Sequence, residues 1–127
     1  MSDSYLNERS AKDWKKSHKH GAGEWLAERG TSLILLPLTL WAVWSGYQLA
    51  GQGVDAALAF AKTPLNAGLI AAIFVVSGWH MFMGLKVIVD DYIGKDGTRG
   101  FLNLLNLLFC LAVTGAALYA LFLLVRS

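Results

Sequence analysis

GWHMFMGLKVIVDDYI spans residues 78–93 and has the apolar character of a membrane-crossing segment. It is mostly apolar, yet it carries His80 in its first half, Lys86 further on, and closes on Asp90, Asp91 and Tyr92. Read outward, it continues an apolar run that begins at Leu65, so the whole segment covers about residues 65–93. A helix crosses the hydrocarbon core of a bilayer in about 20 residues, and this run is long enough. Two other segments qualify. Upstream is TSLILLPLTLWAVWSGYQLA, about 31–50, with Pro37 as an expected kink. Downstream is about 101–125. The expected fold is therefore all-α and integral to the membrane, with three transmembrane helices in an up-down-up bundle.

The connections fit that layout. GQGVDAALAFAKTP is a short loop with room for a little amphipathic helix, and Pro64 suits the first turn of the second span. GKDGTRG, residues 94–100, reads as a tight glycine-rich turn, which makes the last two spans antiparallel neighbours. Residues 1–30 read as a polar N-terminal tail and 31–127 as the three-helix anchor domain, with no soluble domain and no internal repeat.

Composition supports the same class. Of 127 residues, 55% are hydrophobic and 16% charged, against about 25% charged in soluble domains. Mean hydropathy is +0.46. Cys110 is the single cysteine, which excludes an intrachain disulfide and a C-x-x-C-H haem attachment. Asp3, Glu8 and Asp13 interrupt the tail, so it does not read as a cleaved secretory signal, and the first span is expected to act as its own insertion signal. His18 and His20, in KKSHKH, read as solvated residues of a basic tail rather than metal ligands. The net charge of +2 does not point to nucleic acid.

Lysine and arginine set orientation. Arg9, Lys12, Lys15, Lys16, Lys19 and Arg29 precede the first span, and Lys95 and Arg99 lie in the second turn. Opposite them stand only Lys62 and Arg126. The N-terminus and the Asp-Asp-Tyr end are therefore expected on the cytoplasmic side (or the mitochondrial matrix side), in a bacterial cytoplasmic membrane or the mitochondrial inner membrane as its equivalent. Lys86, one to two turns inside that end, can snorkel towards headgroups or bring positive charge to a nearby site.

His80 is twelve residues before Tyr92, about 18 Å along a helix, which puts it near mid-membrane. An ionisable residue there is a functional-site hypothesis. Three readings remain open from the residues. A neutral imidazole can hydrogen-bond another helix for packing. It can bind haem iron through one nitrogen while a partner group holds the other. It can relay protons, although no second ionisable group lies at that depth. Gly84, one turn on, leaves backbone against which a flat macrocycle could lie. A six-coordinate haem would need its other axial ligand from another chain, because only one histidine is placed inside a span. Small residues such as Gly68, Ser77, Gly78 and Gly115 let helices approach closely, and three helices shelter a polar site so poorly that a partner subunit is expected. Asp90, Asp91 and Tyr92 read either as ordinary interface residues or as a quinone site, with Tyr92 donating to a carbonyl and Asp91 orienting its neighbours.

The set His80, Gly84, Asp91 and Tyr92 in the second of three helices, with Arg29-Gly30-Thr31 at the mouth of the first, resembles the family of small hydrophobic membrane anchors of bacterial and mitochondrial succinate dehydrogenase. The resemblance covers about residues 28–125. It implies pairing with a second three-helix membrane anchor, of the cytochrome b type. It also implies attachment of an iron–sulfur subunit, which holds the clusters, and of a flavoprotein subunit, which holds FAD. His80 would be one axial ligand of a haem b, and so of its iron, shared between the two anchors. Tyr92 and Asp91 would serve ubiquinone, and Arg29 would face a haem propionate. Succinate would then be oxidised by the complex and not by this chain alone. An anchor of a quinol:fumarate reductase has the same architecture. A small membrane assembly protein using His80 only for packing is the reading from a different class.

Overall fold

The computed structural model describes the backbone of residues 11–127 and the side chains of residues 23–127. The first ten residues of the polar tail, and the side chains of His18 and His20, lie outside the described residues. Four helices follow in order: α1 (Ala11–Leu49), α2 (Val54–Lys62), α3 (Pro64–Tyr92) and α4 (Asp96–Arg126). There is no strand among the described residues. Three segments are long and apolar enough to cross a membrane: Gly23–Leu49 of α1, all of α3 and all of α4. The protein is all-helical, with a three-helix membrane bundle.

Local chemistry explains the breaks. α1 ends where Gly51 and Gly53 take φ of 81° and 89°, a left-handed backbone that residues with a Cβ seldom adopt. Thr63 is extended at φ −61°, ψ 127°, as a residue before proline must be, and it serves both as the end of α2 and the entry to α3. Pro64 stands in the first turn of α3, where its missing N–H costs nothing.

Two boundaries differ from expectation. α1 begins well before Thr31, because Glu24, Leu26, Ala27, Glu28 and Arg29 are good helix formers that carry the helix past the hydrocarbon boundary. Pro37 lies inside α1 without ending it. α4 begins at Asp96, five residues earlier than the apolar run, so the connection between the last spans is only Ile93–Lys95. Gly97 and Gly100 are absorbed into the first turns of α4 at ordinary helical φ. Asp96, in that first turn, complements the helix dipole. Arg99 closes the corner: its Nε donates to Ile93 O at 3.2 Å, its Nη2 to Gly94 O at 3.4 Å, and Nη2 also pairs with Asp96 Oδ1 at 2.9 Å.

α3 is the central helix, packed against α1 on one side and α4 on the other, and α2 rests on α3 and α4. Trp41 of α1 stacks on Phe60 of α2, with ring centroids 5.8 Å apart. The α3–α4 seam is tight at Gly78, where an added Cβ would run into the Thr114 hydroxyl and lie 3.3 Å from Thr114 Cβ. Asn106, buried in α4, donates from Nδ2 to Phe82 O of α3 at 3.0 Å, and Cys110 Sγ donates to Asn106 Oδ1 at 3.3 Å. Such small and polar residues carry helix contacts where lipid supplies no hydrophobic drive. Only 6% of each span's apolar window is buried inside the chain. Most of the apolar surface of these helices therefore faces outward from the bundle.

Candidate functional site

His80 sits half-buried on α3, and the chain brings one group to it. Thr31 Oγ1 of α1 lies 2.9 Å from His80 Nδ1. The same hydroxyl oxygen is 2.8 Å from Ala27 O and 3.0 Å from Glu28 O on its own helix. Nε2 makes no hydrogen bond among the described residues. Gly84, four residues on, has nothing within 4 Å of where a Cβ would stand. An imidazole tied at one nitrogen and open at the other, beside bare backbone, is what a planar iron-bearing macrocycle requires of a single helix. The described residues gather no group of three or more His, Cys, Asp or Glu fit to hold a bare metal ion. A haem asks less of this chain than that, since one nitrogen suffices, and the residues present fit it.

A second polar cluster lies one to two turns further along α3. Lys86 Nζ donates to Glu24 Oε1 of α1 at 2.8 Å and to Asp90 Oδ2 at 2.7 Å. Asn103 Nδ2 of α4 donates to Asp90 Oδ1 at 2.9 Å. Three helices are thus joined at the end where α1 enters, α3 finishes and α4 starts. Lys86 does not stand alone as a snorkelling cation; it is held between two carboxylates.

Asp91 and Tyr92 are exposed, and their side chains form no hydrogen bond among the described residues. Tyr92, the last residue of α3, is 83% exposed. Of the acidic doublet, Asp90 is engaged inside the chain and Asp91 faces outward with Tyr92. Arg29 is exposed, with its guanidinium carbon 5.5 Å from the Trp25 ring centroid. His80 and Thr31 are therefore brought together, while Asp91, Tyr92 and Arg29 are presented to whatever adjoins the chain.

A groove of about 350 Å³ runs between the three long helices, lined by residues such as Ile34, Trp79, Phe82, Cys110 and Thr114. Thr31 lines this groove and His80 does not.

The sequence points to His80 but not to its partner. Thr31 stands out there only as part of Arg29-Gly30-Thr31, and a hydroxyl at the mouth of a different helix carries no periodic signal. Glu24 and Asn103 carry no such signal either. The available hint is Lys86 itself, since a lysine inside a span invites a search for acids on neighbouring helices.

Three helices long and apolar enough to cross a membrane, with one half-buried histidine and an exposed acid–tyrosine end, define a small integral-membrane helical protein. Residues 6–121 match the family model described as succinate dehydrogenase/fumarate reductase transmembrane subunit, and the chain belongs to that family. It is 30% identical over 118 residues to the succinate dehydrogenase hydrophobic membrane anchor subunit of Paracoccus denitrificans, covering 92% of this chain and 90% of that one. Anchor subunits of the same name in Rickettsia bellii and Rickettsia typhi are 29% and 26% identical, each covering 84% of this chain and 85% of theirs. No solved structure matches the chain significantly. With its three apolar spans and these relatives, the chain is a membrane protein of the bacterial type.

Proposed function

We propose that this chain is the membrane anchor of a succinate:ubiquinone oxidoreductase (respiratory complex II), that His80 is one axial ligand of a haem b shared with a second three-helix anchor, and that Tyr92 and Asp91 belong to the quinone-reduction site. The observation that carries the reading is His80, near mid-span, with Nδ1 engaged by Thr31 and Nε2 engaged by none of the described residues, beside the open backbone at Gly84. A second histidine for that haem would have to come from the partner anchor. When bound, the haem supplies a one-electron store inside the membrane. Arg29, exposed at the mouth of the first span, is the group for a propionate.

Tyr92 is an exposed phenol at the end of α3 whose O–H no described residue engages, the kind of donor a quinone carbonyl needs. Asp91, its outward neighbour, orients that site. The end bearing these residues faces the cytoplasm. There a flavoprotein with FAD and an iron–sulfur protein dock and pass electrons from succinate towards ubiquinone. The chain serves the enzyme as one of its subunits and oxidises no succinate by itself. It thereby links the tricarboxylic acid cycle to electron transport.

The family description covers fumarate reductase as well, and a quinol:fumarate reductase anchor remains the second reading. The relatives named above are all succinate dehydrogenase anchors, which favours the first. A packing histidine would also make the Thr31 bond, so Nε2 separates the classes. The test is a reduced-minus-oxidised spectrum of the intact complex carrying His80→Ala. Loss of the haem, or a change of its spin state, is expected. A low-spin reduced spectrum identical to the unaltered complex would overturn the assignment.

A further inference from the structure

Three acceptors or near-acceptors surround one hydroxyl proton at Thr31. Oγ1 lies 2.8 Å from Ala27 O, 3.0 Å from Glu28 O and 2.9 Å from His80 Nδ1. A threonine hydroxyl has one proton to give and two lone pairs to offer. The two carbonyls can only accept, and back-bonding to the carbonyl four residues earlier is an ordinary habit of threonine within a helix. With the proton pointed at the helix backbone, the Oγ1 lone pairs face the histidine. The 2.9 Å contact is then a bond only if Nδ1 carries the hydrogen. A neutral imidazole has a single N–H, so the Nε2 lone pair is free. Nε2 is also the nitrogen that no described residue engages.

Resting on the reading of His80 as a haem ligand, we propose that Thr31 is its positioning residue: the hydroxyl accepts the Nδ1–H, selects the tautomer whose Nε2 binds the iron, and fixes the plane of the ring. The two residues are 49 apart in sequence and on different helices, so this also ties α1 to the ligand's geometry. A held Nδ1–H makes the ligand nitrogen more basic, which stabilises the oxidised iron and lowers its potential. Loss of such an outer partner weakens metal binding by about 10–100-fold in other sites.

The test uses the intact complex with Thr31→Val, Thr31→Ala and Thr31→Ser. Haem occupancy after detergent washing, the electron paramagnetic resonance g-values of the oxidised haem and its midpoint potential are measured. Thr31→Ser keeps the acceptor and should match the unaltered complex in all three. Thr31→Val and Thr31→Ala should give altered g-values, a higher midpoint potential and haem held about 10–100-fold more weakly. If Val blocks assembly, the Ala and Ser pair carries the comparison, since both only remove atoms. The proposal is overturned if Thr31→Ala matches the unaltered complex, or if Thr31→Ser shifts as far as Thr31→Ala. His80→Ala run in parallel distinguishes the two levels: haem lost there with Thr31→Ala unchanged leaves His80 as ligand and removes Thr31 alone. Haem unchanged in His80→Ala removes both.

Discussion

Glu24 of α1 and Lys86 of α3, 62 residues apart in sequence, meet at 2.8 Å, and this bridge stands beside the Thr31–His80 contact like a second rung. From Glu24 to Thr31 is seven residues down α1, and from Lys86 to His80 is six back along α3, so the rungs lie about 10 Å apart on antiparallel helices. One rung joins charged side chains near the end of the bundle; the other joins a hydroxyl and an imidazole further in. Together they fix the height of α1 against α3. The charged side chains are 29% and 37% exposed, so solvent and headgroups screen them, and their coupling should be modest, about 0.2–1 kcal/mol in a double-mutant cycle. Lys86→Met should cost more than Glu24→Gln, because it leaves both Glu24 and Asp90 without their cation. Thermal stability of the detergent-solubilised complex measures this, and strictly additive effects of the two substitutions would show that the bridge contributes nothing.

Gly78 makes a sharper prediction. Its α-carbon faces Thr114 across the α3–α4 seam, so Gly78→Ala forces the helices apart or turns the threonine, costing about 1–3 kcal/mol by overpacking. Adding Thr114→Ala removes the nearest obstructing atom and should restore part of that loss. Full recovery is not expected, since the Cβ of residue 114 stays 3.3 Å from the added methyl. Gly115→Ala is the control. Nothing lies within 4 Å there, so it should be close to neutral within this chain. Equal losses at 78 and 115 would contradict the packing described.

The spans are legible in the sequence because apolar runs of membrane length have little use outside a bilayer, and α3 and α4 end where charge appears. The edges are less legible. Residues 23–30 are too polar to look like a span, yet helix propensity does not stop where hydrophobicity does, so α1 extends through them. The glycines of GKDGTRG look like a turn, but among the described residues the backbone takes the left-handed conformation only at Gly51 and Gly53. His80 is readable as a candidate site because a histidine at mid-span demands a reason. Its partner is not, because which face of α1 meets α3 depends on rotation of one helix against another. Only contacts such as Glu24–Lys86 fix that rotation.

Orientation in the membrane follows from basic residues. The Glu24–Lys86 and Asn103–Asp90 bonds bring the start of the first span, the end of α3 and the first turns of α4 to one end of the bundle. In sequence, the polar tail through Arg29 and the 94–100 turn, which lead to that end, hold eight lysines and arginines, against Lys62 and Arg126 for the other. The basic end should face the cytoplasm. Reporter fusions after Arg99 should be active inside, and fusions after Ser127 outside; the reverse pattern would invert the topology.

Tyr92 offers the clearest separation between an interface residue and a quinone ligand. It is 83% exposed at the last turn of α3, so its ring stabilises little within the chain. If it only lines the membrane interface, Tyr92→Phe keeps the ring and should leave turnover unchanged. If its O–H donates to a quinone carbonyl, removal costs about 0.5–1.5 kcal/mol, which is up to about tenfold in ubiquinone-reductase rate or affinity. The loss should be confined to the membrane end. Succinate oxidation with an artificial acceptor that takes electrons from the soluble subunits should stay near normal, and haem content should be retained, since His80 and Thr31 are untouched. Tyr92→Phe is therefore expected to impair ubiquinone reduction while sparing the artificial acceptor. Equal, undiminished activity in both assays would leave Tyr92 as an interface residue and assign the carbonyl's donor to the partner subunits.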